Sequence, residues 1–181
     1  MNARDLGYIA VSTALLCVSA WVAIPLGGIP FTLQTLVLCL SAGLLGAKRG
    51  ILAVLAYLML GCIGVPVFAG FTGGVGVLLS PTGGYLVGFL PLSLIVGLAG
   101  ERLVGKEKSR ALLTAVMGLG VVVCYALGTV WFVLLVAQES ASVGFWSALV
   151  TCVVPYIPFD AVKIVFAVVL TEKLRKFIKI K

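Results

Sequence analysis

The chain has 181 residues, of which 62% are hydrophobic and only 10% are charged, and its mean hydropathy is +1.25. Soluble domains are about half apolar and about one quarter charged, so this composition excludes a soluble globular protein and predicts an integral membrane protein. The net charge is +7. The basic residues nevertheless stand at the ends of apolar segments, where they are typical of membrane topology signals and not of a nucleic-acid surface.

Six apolar segments follow one another along the chain, at about residues 6–26, 33–47, 50–65, 84–99, 111–137 and 145–170. A membrane-spanning helix needs roughly 20 apolar residues. We therefore predict an all-α membrane protein, in which residues 1–181 form one bundle of six transmembrane helices. The second, third and fourth segments are short for a full span, and the first is too long for a signal peptide and is interpreted as a retained helix.

The connections between these segments alternate strictly in charge. Lys and Arg occur before the first segment, between the second and third, between the fourth and fifth, and after the sixth. The other connections, at about 27–32, 66–83 and 138–143, contain neither. The positive-inside rule then places both termini in the cytoplasm (N-in/C-in) and the uncharged connections outside. Of the 13 basic residues, only Lys163 departs from this arrangement.

Two features stand out in the first half of the chain. In the first segment, Ala10 and Ala14 are four residues apart, a spacing that gives a flat stripe for close helix packing, either within the bundle or against a partner. The connection 66–83 is apolar and rich in Gly, Pro and Thr. This composition favours a loop that covers a cavity, with glycines that let the backbone approach a ligand. The alternative is a re-entrant packing loop without a ligand.

The sixth segment carries a pair of opposite charges, Asp160 and Lys163, the acid and the base inside the apolar segments. Their spacing of three places them on one helix face. With Lys173 at the cytoplasmic edge, Lys163 lies about 15 Å and Asp160 about 20 Å into a core about 30 Å thick. Charges at that depth cost several kcal/mol unless they face a partner or a polar cavity.

The pair therefore predicts a binding site for a small anionic ligand with a polar ring. Lys163 would meet a carboxylate, and Asp160 would accept hydrogen bonds from ring N–H groups or orient Lys163. The alternative is a structural ion pair that locks helices together. Pro155 and Pro158 precede the pair, and each favours a kink or a helix start. Either they free peptide groups that open towards the outer half near Asp160, or Pro158 simply stands in the first turn of the main helical segment.

Nothing in the sequence indicates catalysis, a cofactor or a metal site. The chain has no histidine, and its five cysteines lie inside apolar segments, as small buried side chains do. Residues 100–106 match the spacing of a phosphate-binding loop, but Glu107 stands where Ser or Thr would hold the magnesium ion. If the function of this chain depends on ATP, another protein must hydrolyse it.

Three stretches resemble the BioY family, the biotin-specific substrate-capture (S) components of energy-coupling factor (ECF) transporters. They are residues 29–35 (Ile-Pro-Phe-Thr-Leu-Gln-Thr), residues 64–85 (from Gly-Val-Pro-Val-Phe-Ala-Gly to Ser-Pro-Thr-Gly-Gly-Tyr) and residues 157–163 (Ile-Pro-Phe-Asp-Ala-Val-Lys). Family members usually read P-G-D-x-x-K in the last stretch, where this chain has Phe159 in place of the glycine. The resemblance runs from about residue 6 to about residue 170.

The resemblance implies a six-helix bundle in the cell membrane that binds one biotin near the outer face, below the loops joining helices 1–2 and 3–4. The substrate-binding residues that it implies are Phe31, Gln34, Gly73, Gly74, Thr82, Gly83, Tyr85, Asp160 and Lys163. It also implies a transmembrane coupling protein that docks on Ala10 and Ala14, and two ATP-hydrolysing subunits. Biotin is then the cargo and not a cofactor.

Two other classes of function are compatible with part of this pattern. A secondary transporter or channel that works alone would use Asp160 as a proton or ion site, although the segments show no obvious inverted repeat. An intramembrane enzyme or a scaffold is the third class. The missing catalytic residues disfavour the enzyme, and the buried charge pair disfavours the scaffold.

Overall fold

The structure is a computed structural model that describes residues 2–25, 29–103, 109–139 and 145–177. Some sequence expectations concern residues outside these ranges. They are Gly27 and Gly28 of the first outer connection, residues 140–143 of the last one, the Gly-Lys pair of the loop-like motif at 105–106, and the basic residues Lys108, Lys179 and Lys181.

The described residues are mostly helical. The helices are α1 (Ala3–Trp21), α2 (Gln34–Leu45), α3 (Ala47–Cys62), α4 (Val75–Leu78), α5 (Gly83–Leu103), α6 (Ser109–Glu139), α7 (Phe145–Cys152) and α8 (Ile157–Arg175). Short 3-10 turns occur at Ala69–Phe71 and Val154–Tyr156, and two strands, β1 (Ala23–Pro25) and β2 (Pro30–Thr32), form an antiparallel hairpin.

Four segments of the described chain are long and apolar enough to cross a membrane. They are α1, α5, residues 110–136 of α6, and residues 146–175, which combine α7 and α8. The chain is therefore a multi-pass membrane protein. Helices α2 and α3 have 12 and 16 residues, fewer than the roughly 20 that a full span needs, so the predicted count of six spans and the N-in/C-in orientation stay predictions.

The hairpin corrects the predicted end of the first helix. We expected helix to residue 26, but α1 ends at Trp21 and Ile24 pairs with Phe31 across the hairpin. The cause is Pro25, because the residue before a proline is driven from the helical to the extended region of backbone conformation. The fold is thus helical with one two-stranded hairpin, and not purely α.

The sixth predicted helix is interrupted. It was expected to run from 145 to 170, whereas α7 ends at Cys152, a 3-10 turn follows, and α8 runs from Ile157 to Arg175. Pro158 lies in the first turn of α8, where its missing N–H has no intrahelical acceptor to lose. Of the two readings of Pro158 from sequence, the helix start is the one that the structure has.

Close helix crossings at small residues hold the bundle together. Helix α5 packs on α2, α3 and α6, and α2 packs also on α1 and α8. A Cβ at Gly100 of α5 would lie 2.5 Å from the carbonyl oxygen of Gly43 in α2. Helices α2 and α3 are joined through Gly46, whose φ of +82° favours glycine, and the Glu101 side chain accepts a hydrogen bond from the Ala47 N–H at 2.9 Å.

The two ends of the bundle differ chemically. At one end, Arg49 at the start of α3 pairs with Asp5 at 2.9 Å, and Arg110 at the start of α6 pairs with Glu172 at 2.5 Å. The hairpin and the connection 63–82 lie at the opposite end, where α1 and α3 finish and α5 begins. Between the ends, large apolar side chains such as Val11, Leu119 and Phe166 are exposed, which suits contact with lipid.

The crossing at Gly100 yields a prediction about stability. Gly100→Ala should lower the free energy of unfolding by about 1–3 kcal/mol, because the new methyl group meets backbone that cannot move aside. Gly118→Ala on α6 is the matched control, since a Cβ there has nothing within 4 Å and alanine favours helix over glycine. Thermal unfolding in detergent compares the two variants. Equal effects of both substitutions would contradict this account of the crossing.

Candidate ligand-binding site

A cavity of about 140 Å³ lies under the hairpin. It is at the end of the bundle opposite the Arg49–Asp5 and Arg110–Glu172 ion pairs. Its walls come from the hairpin, α2, the connection 63–82, α5, α6, and the region from α7 to α8. The apolar part of the lining includes Leu86, Phe89, Leu92 and Val121. A cavity of about 150 Å³ is enough to hold benzene, so the space is suited to a small organic ligand and not to a single ion.

The charge pair on α8 lies in the lining of this cavity. Lys163 Nζ is 2.6 Å from Asp160 Oδ1, and the two residues are only 6% and 5% exposed. Asp160 belongs to the first turn of α8, where backbone N–H groups without helical partners favour a negative charge. The break before α8 therefore helps to explain how a carboxylate is kept at this depth.

Each charge has further partners from other elements. The Tyr125 hydroxyl on α6 donates a hydrogen bond to Asp160 Oδ2. Lys163 Nζ donates to the carbonyl oxygen of Thr32 at 2.7 Å, and it lies 3.9 Å from the centre of the Phe31 ring, a cation–π distance. The three donor directions of the Lys163 ammonium are thus directed at an acid, a carbonyl and a ring.

The hairpin is held in place by residues that line the cavity. Besides the contact of Lys163 with Thr32, the Tyr156 hydroxyl donates to the carbonyl oxygen of Ile29. The Phe31 ring lies 5.1 Å from the ring of Phe159, the residue that replaces the usual family glycine. Phe159 therefore sits in a regular helix and contributes an aromatic contact to the hairpin.

The connection 63–82 forms another wall of the cavity, and two of its hydrogen-bonded anchors lie outside the lining. The Trp21 indole donates to the carbonyl oxygen of Pro66 at 2.9 Å and stacks on Phe71, with ring centres 5.3 Å apart. The Trp131 indole donates to the carbonyl oxygen of Ser80 at 3.1 Å. Phe68, Thr72 and other residues of this connection reach the cavity, so it covers a cavity as the sequence indicated.

Six of the nine substrate-binding residues expected from the sequence are in the lining: Phe31, Gln34, Thr82, Tyr85, Asp160 and Lys163. Gln34 is fixed by a hydrogen bond from its Nε2 to the Tyr57 hydroxyl at 2.7 Å. The Tyr85 hydroxyl is 3.2 Å from the Thr129 hydroxyl. The side chains of Gln34 and Tyr85 therefore each have a hydrogen-bond partner within the protein.

The other three expected residues, Gly73, Gly74 and Gly83, are not part of the lining. A Cβ at Gly73 would meet the carbonyl group of Val65, and a Cβ at Gly83 would meet that of Leu78. Gly74 has a φ of +97° just before α4. These glycines shape the connection, and their expected contact with a ligand stays a prediction.

Tyr125 and Tyr156 are site residues that the sequence reasoning missed. Tyr125 was read as part of the apolar fifth segment, although a phenol in such a run needs a hydrogen-bond partner when it is buried. The need for a partner was the sequence signal that could have identified Tyr125 as a site residue. Tyr156 stands between Pro155 and Pro158, next to the charged motif.

Two further expectations concern the small-residue stripe on α1 and the binding of a metal ion. Ala10 and Ala14 are both exposed on α1, so the small-residue stripe is not used for packing within this bundle. Among the residues that the structure describes, no group of three or more His, Cys, Asp or Glu side chains is placed to hold a metal ion.

Comparison with known proteins gives a consistent result. Residues 1–180 match the model of the BioY family. The chain is 44% identical over 177 residues to the biotin transporter BioY of Thermotoga maritima, covering 96% of both chains. It is 38% identical to the probable biotin transporter BioY of Pyrococcus horikoshii, covering 97% of this chain and 98% of that one.

A solved structure agrees with these relatives. The crystal structure of the S-component for biotin from an ECF-type ABC transporter superposes with a TM-score of 0.86 at 28% identity, and the match covers 97% of this chain and 95% of the other. The chain therefore belongs to the BioY family, and the resemblance noted in its sequence is confirmed. The names of the relatives describe transport and not catalysis, as the sequence predicted.

The charge pair yields a prediction about stability without ligand. Lys163→Met should destabilise the protein by about 3 kcal/mol, because Asp160 is left as an unpaired buried charge. The double variant Asp160→Asn/Lys163→Met removes both charges and should regain at least half of that loss. Thermal unfolding in detergent measures both, with Lys173→Met, an exposed lysine on the same helix, as the control. A double variant less stable than Lys163→Met would contradict the pairing argument.

Proposed function

We propose that this chain captures biotin for uptake, as the S component of an ECF-type transporter. The observation that carries the proposal is the buried Asp160–Lys163 pair in the lining of a small cavity, which the hairpin and the connection 63–82 cover. Intramembrane charges are rare and costly, and they usually mark a ligand or ion site. Membership of the family and the names of the relatives specify which ligand to test.

The hydrogen-bond partners in the site favour one role for Asp160. A carboxylate has about four acceptor positions, and Lys163 and Tyr125 use one on each oxygen. The remaining positions suit the two N–H donors of the ureido ring of biotin. Asp160 is thus the acceptor for the ring, one of the two roles that the sequence left open.

Lys163 has a different role in this proposal. Its ammonium group already contacts Asp160, Thr32 and Phe31, so a ligand oxygen that binds it must replace the carbonyl oxygen of Thr32 or the ring of Phe31. Lys163 therefore balances the charge of Asp160. It can donate a hydrogen bond to a ligand oxygen only when the hairpin moves away from its ammonium group. The apolar walls, with Leu86, Phe89 and Val121, suit the sulfur-containing ring and the aliphatic chain of biotin.

The arrangement in the membrane follows from the two different ends of the bundle. We place the end with Arg49 and Arg110 in the cytoplasm, in line with the positive-inside rule, so the hairpin and the cavity face outside. Both termini are then cytoplasmic. In this proposal α2 and α3 complete a six-helix bundle in the cell membrane, and the chain forms one domain with biotin as its cargo and no cofactor.

Energy for uptake comes from partner proteins in this proposal. A transmembrane coupling protein and two ATP-hydrolysing subunits would complete the transporter. The exposed stripe of Ala10 and Ala14 on α1 is the proposed contact with the coupling protein, because small residues let two helices approach closely in a membrane.

The proposal predicts that the purified chain binds biotin. Saturating biotin should raise its unfolding temperature, and the Asp160→Asn/Lys163→Met variant should bind about a hundredfold more weakly, because hydrogen bonds to charged groups are among the strongest in a protein. Isothermal titration calorimetry gives the affinities, and Lys173→Met should bind like the original chain. Unchanged binding by the double variant would rule out the proposed site.

The proposal also predicts that docking and binding are separable. Ala14→Trp should abolish ATP-dependent biotin uptake in vesicles that contain the chain with its partners, and leave biotin affinity within about twofold, because it blocks a helix contact far from the cavity. Leu119→Trp, at an exposed position on α6, is the control and should keep uptake. Uptake by the chain alone that an uncoupler abolishes would instead indicate a stand-alone transporter.

A further inference from the structure

The Tyr125 hydroxyl makes a contact that the recognition of biotin does not by itself require. Tyr125 lies on α6, and its hydroxyl donates to Asp160 Oδ2, while Lys163 holds Oδ1. The two partners approach from different elements, since Lys163 shares α8 with Asp160 and Tyr125 does not. Each carboxylate oxygen of Asp160 therefore accepts a hydrogen bond.

A carboxylate held on one oxygen only is free to turn. The terminal torsion of Asp is broad and roughly two-fold, and a lysine ammonium is a compact charge that imposes little direction. Lys163 alone would thus keep Asp160 paired without fixing the plane of its carboxylate. The second hydrogen bond, from Tyr125, fixes that plane and so sets where the unused acceptor positions point.

We infer that Tyr125 is a positioning residue, which acts through Asp160 to align the acceptor positions that read the N–H groups of the ligand. This inference rests on the proposed function, because it assumes that the ligand carries ring N–H donors. Tyr125 itself need not touch the ligand. Tyr125 is therefore expected to affect the affinity for a ligand only when Asp160 accepts hydrogen bonds from that ligand.

A second phenol in the same cavity provides the contrast. Tyr85 also lines the cavity, but its hydroxyl pairs with the buried Thr129 hydroxyl at 3.2 Å. Removing that hydroxyl leaves the contacts of Asp160 as they are. Tyr85→Phe is therefore the matched control for Tyr125→Phe, since both substitutions delete one phenolic oxygen from a residue that lines the cavity.

The test is a double-mutant cycle in detergent, with biotin affinity as the readout. Tyr125→Phe should weaken binding about tenfold in the original chain and less than about twofold in an Asp160→Asn background. Tyr85→Phe should change biotin affinity by the same factor in the original chain and in the Asp160→Asn background. If Tyr125→Phe has equal factors in both backgrounds, the hydroxyl acts independently of Asp160 and the inference is overturned.

A second readout does not depend on binding by Asp160→Asn. The ratio of the affinity for biotin to that for biotin methylated on both ureido nitrogens measures how strongly N–H groups are recognised. This ratio should fall about fivefold in Tyr125→Phe and stay unchanged in Tyr85→Phe. A variant that merely loosens the fold weakens both ligands together, and an unchanged ratio in Tyr125→Phe overturns the inference.

The outcomes separate this inference from the proposed function. If the original chain does not bind biotin, the proposed function fails, and the inference fails with it. If the original chain binds biotin but the cycle shows no coupling, only the role of Tyr125 fails. Unfolding temperatures without ligand verify that each variant is folded, and Tyr125→Met, with its adaptable side chain, serves as a second substitution with the same expected results.

Discussion

The Asp160–Lys163 ion pair is the constraint on which the cavity end of the bundle depends. Two charges that are 5% and 6% exposed inside a membrane-spanning segment are tolerated only when each finds all of its partners. The chain supplies them from separate places, with Tyr125 on α6 for the acid and the carbonyl oxygen of Thr32 for the base. Satisfying the pair therefore draws α6, α8 and the hairpin together around one cavity.

Breaks in regular structure make this arrangement possible. Pro158 lies in the first turn of α8 with Asp160, so the carboxylate belongs to the helix end that favours a negative charge. Pro25 ends the helical conformation after Trp21 and opens the hairpin that carries Thr32. A helix that continued through Pro25 would remove the hairpin carbonyl that Lys163 contacts, so this break shapes the cavity as well as the fold.

The sequence predicted well what depends on composition and spacing, and poorly what depends on tertiary contacts. The shared face of Asp160 and Lys163 follows from helical spacing alone, and the motif containing Phe31 does reach the cavity. Tyr125 was missed because its partner is 35 residues away in sequence. Gly83 was expected at the ligand, and the structure shows that it is also packed closely against the backbone of Leu78, a contact that no local pattern reveals.

The two covers of the cavity differ in how they are attached, and this difference bears on how binding relates to access. The connection 63–82 is anchored by the indoles of Trp21 and Trp131, which lie outside the charged site. The hairpin is anchored through Lys163 and Tyr156, which line the cavity themselves. A molecule that competed for the Lys163 ammonium would therefore act on an attachment of the hairpin. Its binding would then be energetically linked to the position of the hairpin.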